Sequence, residues 1–409
     1  MSFFVLEIVP KPRLRVLLEH FGRIEDPREP WRVAHPLPEV LLLVVCGAIC
    51  DCDDYDLIAD WGERNLSFLR EFLPYHHGVP GGRWLTLLMN RINPALFAAA
   101  FTGWVRVNWP DRPDFVAIDG KTSRRSHDRS VGAPPLHLVS AFATTTRLVL
   151  GQEAVPDKAS ETTAIPALVA RLAENDGLKG ALVSIDAIAT NPAIASVIRA
   201  AGADYLLAVK ANQPGLRAEI ERLFDDPAAA AFDTHHDVDK GHGRIEERIV
   251  TVAREVDWLD GERRFPGEAR LPGVASLIRV SSRTELKDRS RFDTRFYVSS
   301  AALAAPRAAE AVRGHWAIEN SLHWVLDVVF ADDQSRLRKG HGAHNMAVVR
   351  HFAFNLIRHA PEPPRQPRSP LKRQPKPGSV PKPRSLKLRR KMAAWNCQDL
   401  KAALGQFAR

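Results

Sequence analysis

The sequence predicts an α/β (α+β) chain: a helical N-terminal unit, then a mixed sheet flanked by helices, with a β-rich insertion before a last acidic helix. Three observations carry this reading. Residues 1–110 hold long apolar runs broken by prolines, the pattern of packed helices. From residue 115 short apolar runs alternate with helix-length segments, as in a sheet that is antiparallel at first and then parallel through right-handed crossovers. Residues 313–330 carry an apolar stripe and a polar stripe side by side on one helical period.

In the N-terminal unit the apolar runs are 14–21, 37–49, 57–73 and 85–101. Asp51, Asp53, Asp54 and Asp56 read as an acidic helix end or loop more simply than as a metal site. Residues 115–119 form a strand that ends on Asp119 and is followed by Lys121, Arg124 and Arg125. A hairpin, 136–143 and 147–155, comes next, then a helix over 163–175 and a second strand, 181–186, ending on Asp186. Helix 192–201 leads to strand 204–210, which ends on Lys210 with Asn212 and Gln213 just beyond. After a short helix, 215–224, an insertion spanning about 225–303 alternates again in 244–253, 274–280 and 292–299. The acidic helix, 306–330, and an amphipathic helix, 345–359, close a second domain taken as 111–359.

A chain of 409 residues at 45% hydrophobic content buries a core without staples. Cys46, Cys50 and Cys52 lie in or beside an apolar run and, with Cys397, fit no usual zinc spacing, so they read as reduced thiols of a cytosolic protein. That run of about ten residues is too short to span a bilayer, and no leader opens the chain; the reading is a soluble protein with no membrane partner. The net charge of +9 is concentrated. Residues 361–391 hold eleven Lys or Arg against the single acid Glu362, with nine prolines from Pro361 to Pro383. This predicts a basic, extended, disordered arm over 360–391, suited to a phosphate backbone, before a short C-terminal helix at 392–409.

In the acidic helix Ile318, Leu322, Val325 and Val329 make the core stripe, while His315, Glu319, His323 and Asp327 recur at i+4 beside it. Taken alone the polar stripe suits a half-exposed helix or a zinc site as well as an acid/base or metal-ligating Glu319. Asp119 and Asp186 end two strands, and if those strands are parallel neighbours the carboxylates lie side by side and call for a divalent cation, with Glu319 completing the shell. Singly, Asp186 reads as a helix or turn cap and Asp119-Gly120 as a plain turn. Three carboxylates suit two Mg²⁺ or Mn²⁺ ions and phosphodiester chemistry.

Phe115-Val-Ala-Ile-Asp-Gly-Lys-Thr-Ser-Arg-Arg-Ser-His-Asp, Leu182-Val-Ser-Ile-Asp-Ala, Leu207-Ala-Val-Lys-Ala-Asn-Gln, Asp239-Lys-Gly-His-Gly-Arg-Ile-Glu, Arg313-Gly-His-Trp-Ala-Ile-Glu-Asn-Ser-Leu-His-Trp and Asp332-Asp-Gln-Ser-Arg-Leu-Arg-Lys-Gly resemble the ISAs-type insertion-sequence transposases, also called H-repeat-associated proteins. The resemblance runs from about residue 14 to 359. It implies a DDE transposase with an RNase H-like core, a mixed five-stranded sheet flanked by helices, in which Asp119, Asp186 and Glu319 are the catalytic triad and bind two Mg²⁺ or Mn²⁺ ions. It further implies double-stranded DNA (element ends and target) as partner, a homodimer on DNA, a bacterial cytosolic setting, and strand cleavage followed by strand transfer. A structure-specific nuclease of the same fold and a catalytically dead DNA-binding relict are the alternatives. The chain departs from the broader family around Glu319: Val312, His315 and Leu326 stand where a tyrosine, an arginine and a lysine are expected. Candidate DNA contacts are Lys121, Arg124, Arg125, Lys210, Asn212, Gln213, Arg313, His315, His323, Arg336, Arg338 and Lys339.

Overall fold

The computed structural model describes residues 13–155, 160–226, 232–241, 244–286, 289–362 and 383–405. Six helices come first: α1 (Arg13–Phe21), α2 (Leu37–Ile49), α3 (Tyr55–Arg64), α4 (Leu66–Leu69), α5 (Gly82–Met89) and α6 (Pro94–Asn108). Strands β1 (Phe115–Thr122), β2 (His137–Ala143) and β3 (Leu148–Val155) precede helix α7 (Glu161–Ala173). Strand β4 (Leu182–Ile185), helix α8 (Pro192–Ala200), strand β5 (Asp204–Val209) and helix α9 (Pro214–Asp225) follow. Four long strands then run in series: β6 (Asp233–Gly241), β7 (Arg244–Ala253), β8 (Ser276–Glu285) and β9 (Ser290–Ser299). The remaining helices are α10 (Ala305–His315), α11 (Trp324–Val328), α12 (Gly342–Arg358), α13 (Leu386–Trp395) and α14 (Cys397–Ala403). Among the described residues no helix is long and apolar enough to cross a membrane.

The chain divides into two compact units, one of residues 1–110, 123–133 and 324–409, the other of 111–122 and 134–323. This differs from the sequence division, which places 324–359 with the sheet. Helix α12 is buried along most of its length and packs on α2, α5 and α6, so its burial ties it to the helical unit. Phe352 on α12 meets the rings of Phe21, Phe97, Phe101 and Trp104, with centroids 4.9–5.8 Å away. Asn345 on the same helix is fully buried and donates to the Met89 and Ile92 carbonyls at 2.7 and 2.9 Å, satisfying the turn between α5 and α6.

The sequence reading carries the Pro-rich arm to residue 391 and one helix beyond it. Residues 363–382 lie outside the described residues. Past the last proline, Ser385 caps α13, so the chain is helical from Leu386 and a second short helix, α14, follows Asn396. Arg390 on α13 has no exposed surface. Its guanidinium donates to the carbonyls of Ala48 and Val329, pairs with Asp51 and Asp53 at 3.1 and 3.0 Å, and lies over the Phe330 ring. The acidic run after α2 is thereby explained: two of its carboxylates answer a buried arginine, and Asp54 caps α3 by accepting from the Leu57 amide.

In the other unit the described strands form one nine-stranded sheet, in the order β3-β2-β1-β4-β5-β9-β8-β7-β6. The expected five-stranded sheet corresponds to its first five members. The correction concerns the insertion, which continues the same sheet: β9 pairs antiparallel with β5, Leu206 opposite Ser299 and Val209 opposite Phe296. An uncovered β5 edge would leave a row of unpaired backbone groups, and β9 satisfies them. Strand β6, Asp-Thr-His-His-Asp-Val-Asp-Lys-Gly, escapes sequence reading because it is a polar edge strand with a single apolar side chain. One face of the sheet packs on α7, α8 and α9 through Val116, Ile118, Val183 and Ile185 against Ile165, Leu168, Ile194 and Ile198. The opposite face, with Phe115, Leu182 and Leu206, packs on Ala308, Ala311 and Val312 of α10.

The acidic helix is not one straight α-helix. Helix α10 ends at His315, and residues Glu319–His323 form a π-helical turn before α11. Ile318, Leu322, Val325 and Val329 are buried as the apolar stripe predicts. The polar stripe is redistributed by the wider turn, a feature frequent at functional sites.

Candidate active site

Side chains alternate along a strand, so Phe115, Ala117 and Asp119 share one face of β1, and Leu182, Ser184 and Asp186 share the same face of β4 and its extension. That face is the one covered by α10. Strands β1 and β4 are parallel neighbours, with Ile118 opposite Ile185, so Asp119 and Asp186 are the next residues along the two strands; β1 runs on to Thr122 paired with β2, so Asp119 lies where the parallel pairing stops and not at the end of its strand as the sequence reading has it. Both carboxylates line a cavity of about 330 Å³ with Lys210, His315, Trp316 and Glu319. The register predicted for Asp119 and Asp186 is therefore the observed one.

Within the cavity the closest group of possible metal ligands is Asp119, Glu319 and His323, whose ligand atoms all lie within 4.8 Å of one another. His323 Nδ1 stands 3.5 Å from Asp119 Oδ2 and 3.7 Å from Glu319 Oε2. Burial pushes the Asp119 carboxyl up to about 6, against the pull of His323 and with the nearby Glu319 charge adding to the rise. Glu319 is held below the usual carboxylate range, chiefly by His323. Of these two carboxyls Asp119 therefore takes the proton first. Two carboxylates and an imidazole converging at this spacing fit a divalent cation, which would relieve both the like-charge repulsion and the burial of Asp119.

Asp186 is tied elsewhere. Lys210 Nζ donates to both of its oxygens, at 2.8 and 3.0 Å. Burial by itself would raise the Asp186 carboxyl, but Lys210 and the Ala187 amide hold it below the usual range. His315 is half-buried, and desolvation lowers its basicity; its Nδ1 shares a 2.8 Å hydrogen bond with Ser184 Oγ. Asn212 donates to the Ala187 carbonyl at 2.8 Å and Gln213 to the Thr190 carbonyl at 2.7 Å, so both residues tether the loop that follows Asp186. Lys121 sits half-buried two residues past Asp119.

Arg313 pairs with Asp237. It lines a second cavity of about 560 Å³ with Arg244, Arg248 and Arg295, and Trp316 and Arg295 border both cavities. In the helical unit Arg124 lies 3.4 Å from Asp333, Arg338 donates to the Arg125 carbonyl at 3.0 Å, and Lys339 pairs with Asp128 at 2.9 Å. Arg336 is exposed. Asp327, the last member of the polar stripe, belongs to this unit too and groups with Asp332 and Asp333.

One part of the site is not legible in the sequence. Behind Asp119 the buried His137 bridges Thr122 Oγ1 and Glu161 Oε1, each at 2.7 Å, so that Thr122 donates to Nδ1 and Nε2 donates to Glu161. Gly120 lies within β1 and not in a turn: a Cβ there would stand 2.3 Å from Glu161 Oε1 and 2.5 Å from His137 Nε2. The Asp-Gly pair at 119–120 is thus a packing requirement. Gly120→Ala should expel the His137–Glu161 pair and cost about 2 kcal/mol, read as a lowered thermal midpoint. An unchanged midpoint would refute this account of Gly120.

A mixed sheet that presents two carboxylates just past the parallel pairing of its central strands, in one cavity with a third from a helical turn, defines the class. The sequence matches the family described as Transposase DDE domain over residues 110–356, and the DDE_Tnp_1-associated family over residues 18–105; the chain belongs to the DDE transposase family. It is 36% identical over 349 residues to the H repeat-associated putative transposase YhhI of Escherichia coli K12, covering 84% of this chain and 90% of that protein. It is also 36% identical over 251 residues to the H repeat-associated putative transposase YbfD of the same strain, covering 60% of this chain and 97% of that one. Among solved structures a piggyBac transposase synaptic complex with hairpin DNA aligns with a TM-score of 0.41 at 12% identity, over 84% of this chain and 75% of that one. The family implies phosphoryl transfer with a divalent metal.

Proposed function

We propose that this chain is a DNA transposase of an insertion sequence, binding the terminal inverted repeats of its element, cutting a strand there and joining the freed 3′-hydroxyl to target DNA. The observation that carries the reading is the alignment of Asp119 and Asp186 as the residues that follow the parallel pairing of β1 with β4, lining the cavity that Glu319 also lines. The β3-β2-β1-β4-β5 order supports an RNase H-like core. Asp119 and Glu319 hold divalent cation in this reading, and Asp186 joins them when its ammonium partner is drawn away. Bound Mg²⁺ or Mn²⁺ supplies activation of the attacking oxygen and stabilisation of the leaving one. Lys210 keeps Asp186 ionised before DNA arrives, and a DNA phosphate, offering its own negative oxygens, competes for the same ammonium. Arg313 and the arginines of the second cavity, Lys121, and in the helical unit Arg124, Arg125, Arg336, Arg338 and Lys339 are proposed backbone contacts, as is the basic sequence 361–382, Arg390 of the expected arm being committed to the core. The active form on DNA is proposed to be a homodimer.

The test is an incubation of the protein with Mg²⁺, labelled element ends and a target plasmid. Joined products are the expected result. Nicking without joining would favour a structure-specific nuclease, and binding without Mg²⁺-dependent cleavage would sink both enzymatic readings in favour of a DNA-binding relict.

A further inference from the structure

We infer that His323 is itself a metal ligand, so that the ion nearest Asp119 is held by two carboxylates and one imidazole. The inference rests on the proposed reading of this cavity as a divalent-metal centre and goes beyond its three acidic residues. Three observations carry it. His323 is 5% exposed, and its Nε2 has no hydrogen-bond partner among the described residues. With Nε2 making no hydrogen bond, the polar engagement of this buried ring rests on Nδ1, the nitrogen that faces the carboxylates and that an ion between them would bind. That nitrogen faces only Asp119 and Glu319, at 3.5 and 3.7 Å, too far for strong hydrogen bonds. Those separations instead approach the spacing of ligands around one ion, since neighbouring donors at ~2.1 Å in an octahedron stand ~3.0 Å apart and close by a few tenths of an ångström when the ion binds. Finally, the π-helical turn begins at Glu319 and ends at His323, placing a ligand atom of each within 4.8 Å of one on Asp119.

The consequence is a preference among ions. An imidazole donor suits Mn²⁺ and later divalent metals better than Mg²⁺, which takes oxygen ligands. Asp186, engaged by Lys210, contributes nothing to this first ion.

The experiment uses Mn²⁺ as the probe on the full-length protein without DNA, read by electron spin-echo envelope modulation. The expected spectrum shows coupling to one imidazole nitrogen, which converts to the nitrogen-15 pattern when the protein carries nitrogen-15 histidine. The coupling should vanish in His323→Gln and persist in His315→Gln, with Mn²⁺ affinity falling about tenfold or more in the former. Because the labelled wild-type protein reports the ligand directly, the result does not depend on a variant that folds. Mn²⁺ bound in an Asp119-dependent manner without nitrogen coupling would overturn the ligand while leaving the metal centre standing, and so would coupling lost only in His315→Gln. No Asp119-dependent Mn²⁺ binding at all would overturn the metal centre and the ligand together.

Discussion

Asp119→Asn should abolish Mg²⁺-dependent cleavage and joining, and at the same time make the metal-free protein more stable above pH 7. The first effect follows from removing an anionic ligand, worth ~4 kcal/mol or about a thousandfold in rate. The second follows from burial. The Asp119 carboxyl ionises at about 6 in the folded chain, against 3.8 ordinarily, so the fold favours its protonated form. A group whose folded value is raised contributes its stabilisation below the unfolded value, and that contribution is lost as pH rises through about 6. At pH 8 the wild-type chain therefore carries a largely buried charge that the amide does not, a penalty of about 3 kcal/mol. Denaturant titrations in chelator at pH 8 and pH 4 should show the Asn variant ahead at the first and level with wild type at the second. A less stable Asn variant at pH 8 would contradict the assignment. Saturating Mn²⁺ should reverse the order at pH 8, because only the wild type gains binding energy.

Arg390→Met should destabilise the helical unit by about 3 to 5 kcal/mol, the largest effect expected of any single change there. The side chain has no exposed surface and serves the carbonyls of Ala48 and Val329, the carboxylates of Asp51 and Asp53, and the ring of Phe330 at once. Methionine fills the volume but leaves two carbonyls without their donor and two partly buried carboxylates without a cation. Chemical denaturation of the full chain measures it, and a loss below about 1 kcal/mol would show that water replaces the guanidinium at little cost.

How much of this was readable beforehand depends on the range of the interaction involved. Asp119 and Asp186 stand out because each ends an apolar run, a local pattern, and parallel pairing of β1 with β4 made them neighbours as that pattern suggested. Glu319 stands out as a carboxylate in a polar stripe that recurs at i+4 along the margin of the apolar one. Local patterning also marked out eight of the nine strands, the polar edge strand β6 being the exception. The roles around the triad were less legible. His323 reads from the stripe as a member of an optional zinc site or as a DNA contact, and only its position beside Asp119 groups it with that carboxylate. Asn212 and Gln213 read as DNA contacts, whereas their amides hold the carbonyls of Ala187 and Thr190.

The sequence by itself determined the class of fold and the family and singled out Asp119, Asp186 and Glu319, because apolar period and local motifs are written within a few residues of each other. The tertiary structure alone decided that the insertion continues one sheet, that Lys210 holds Asp186, that His137 and Glu161 back Asp119, and that a C-terminal arginine fills the space beside α2. Each of these pairs residues far apart in the chain, through hydrogen bonds whose partners have no local signature, and burial is what makes the pairings strong.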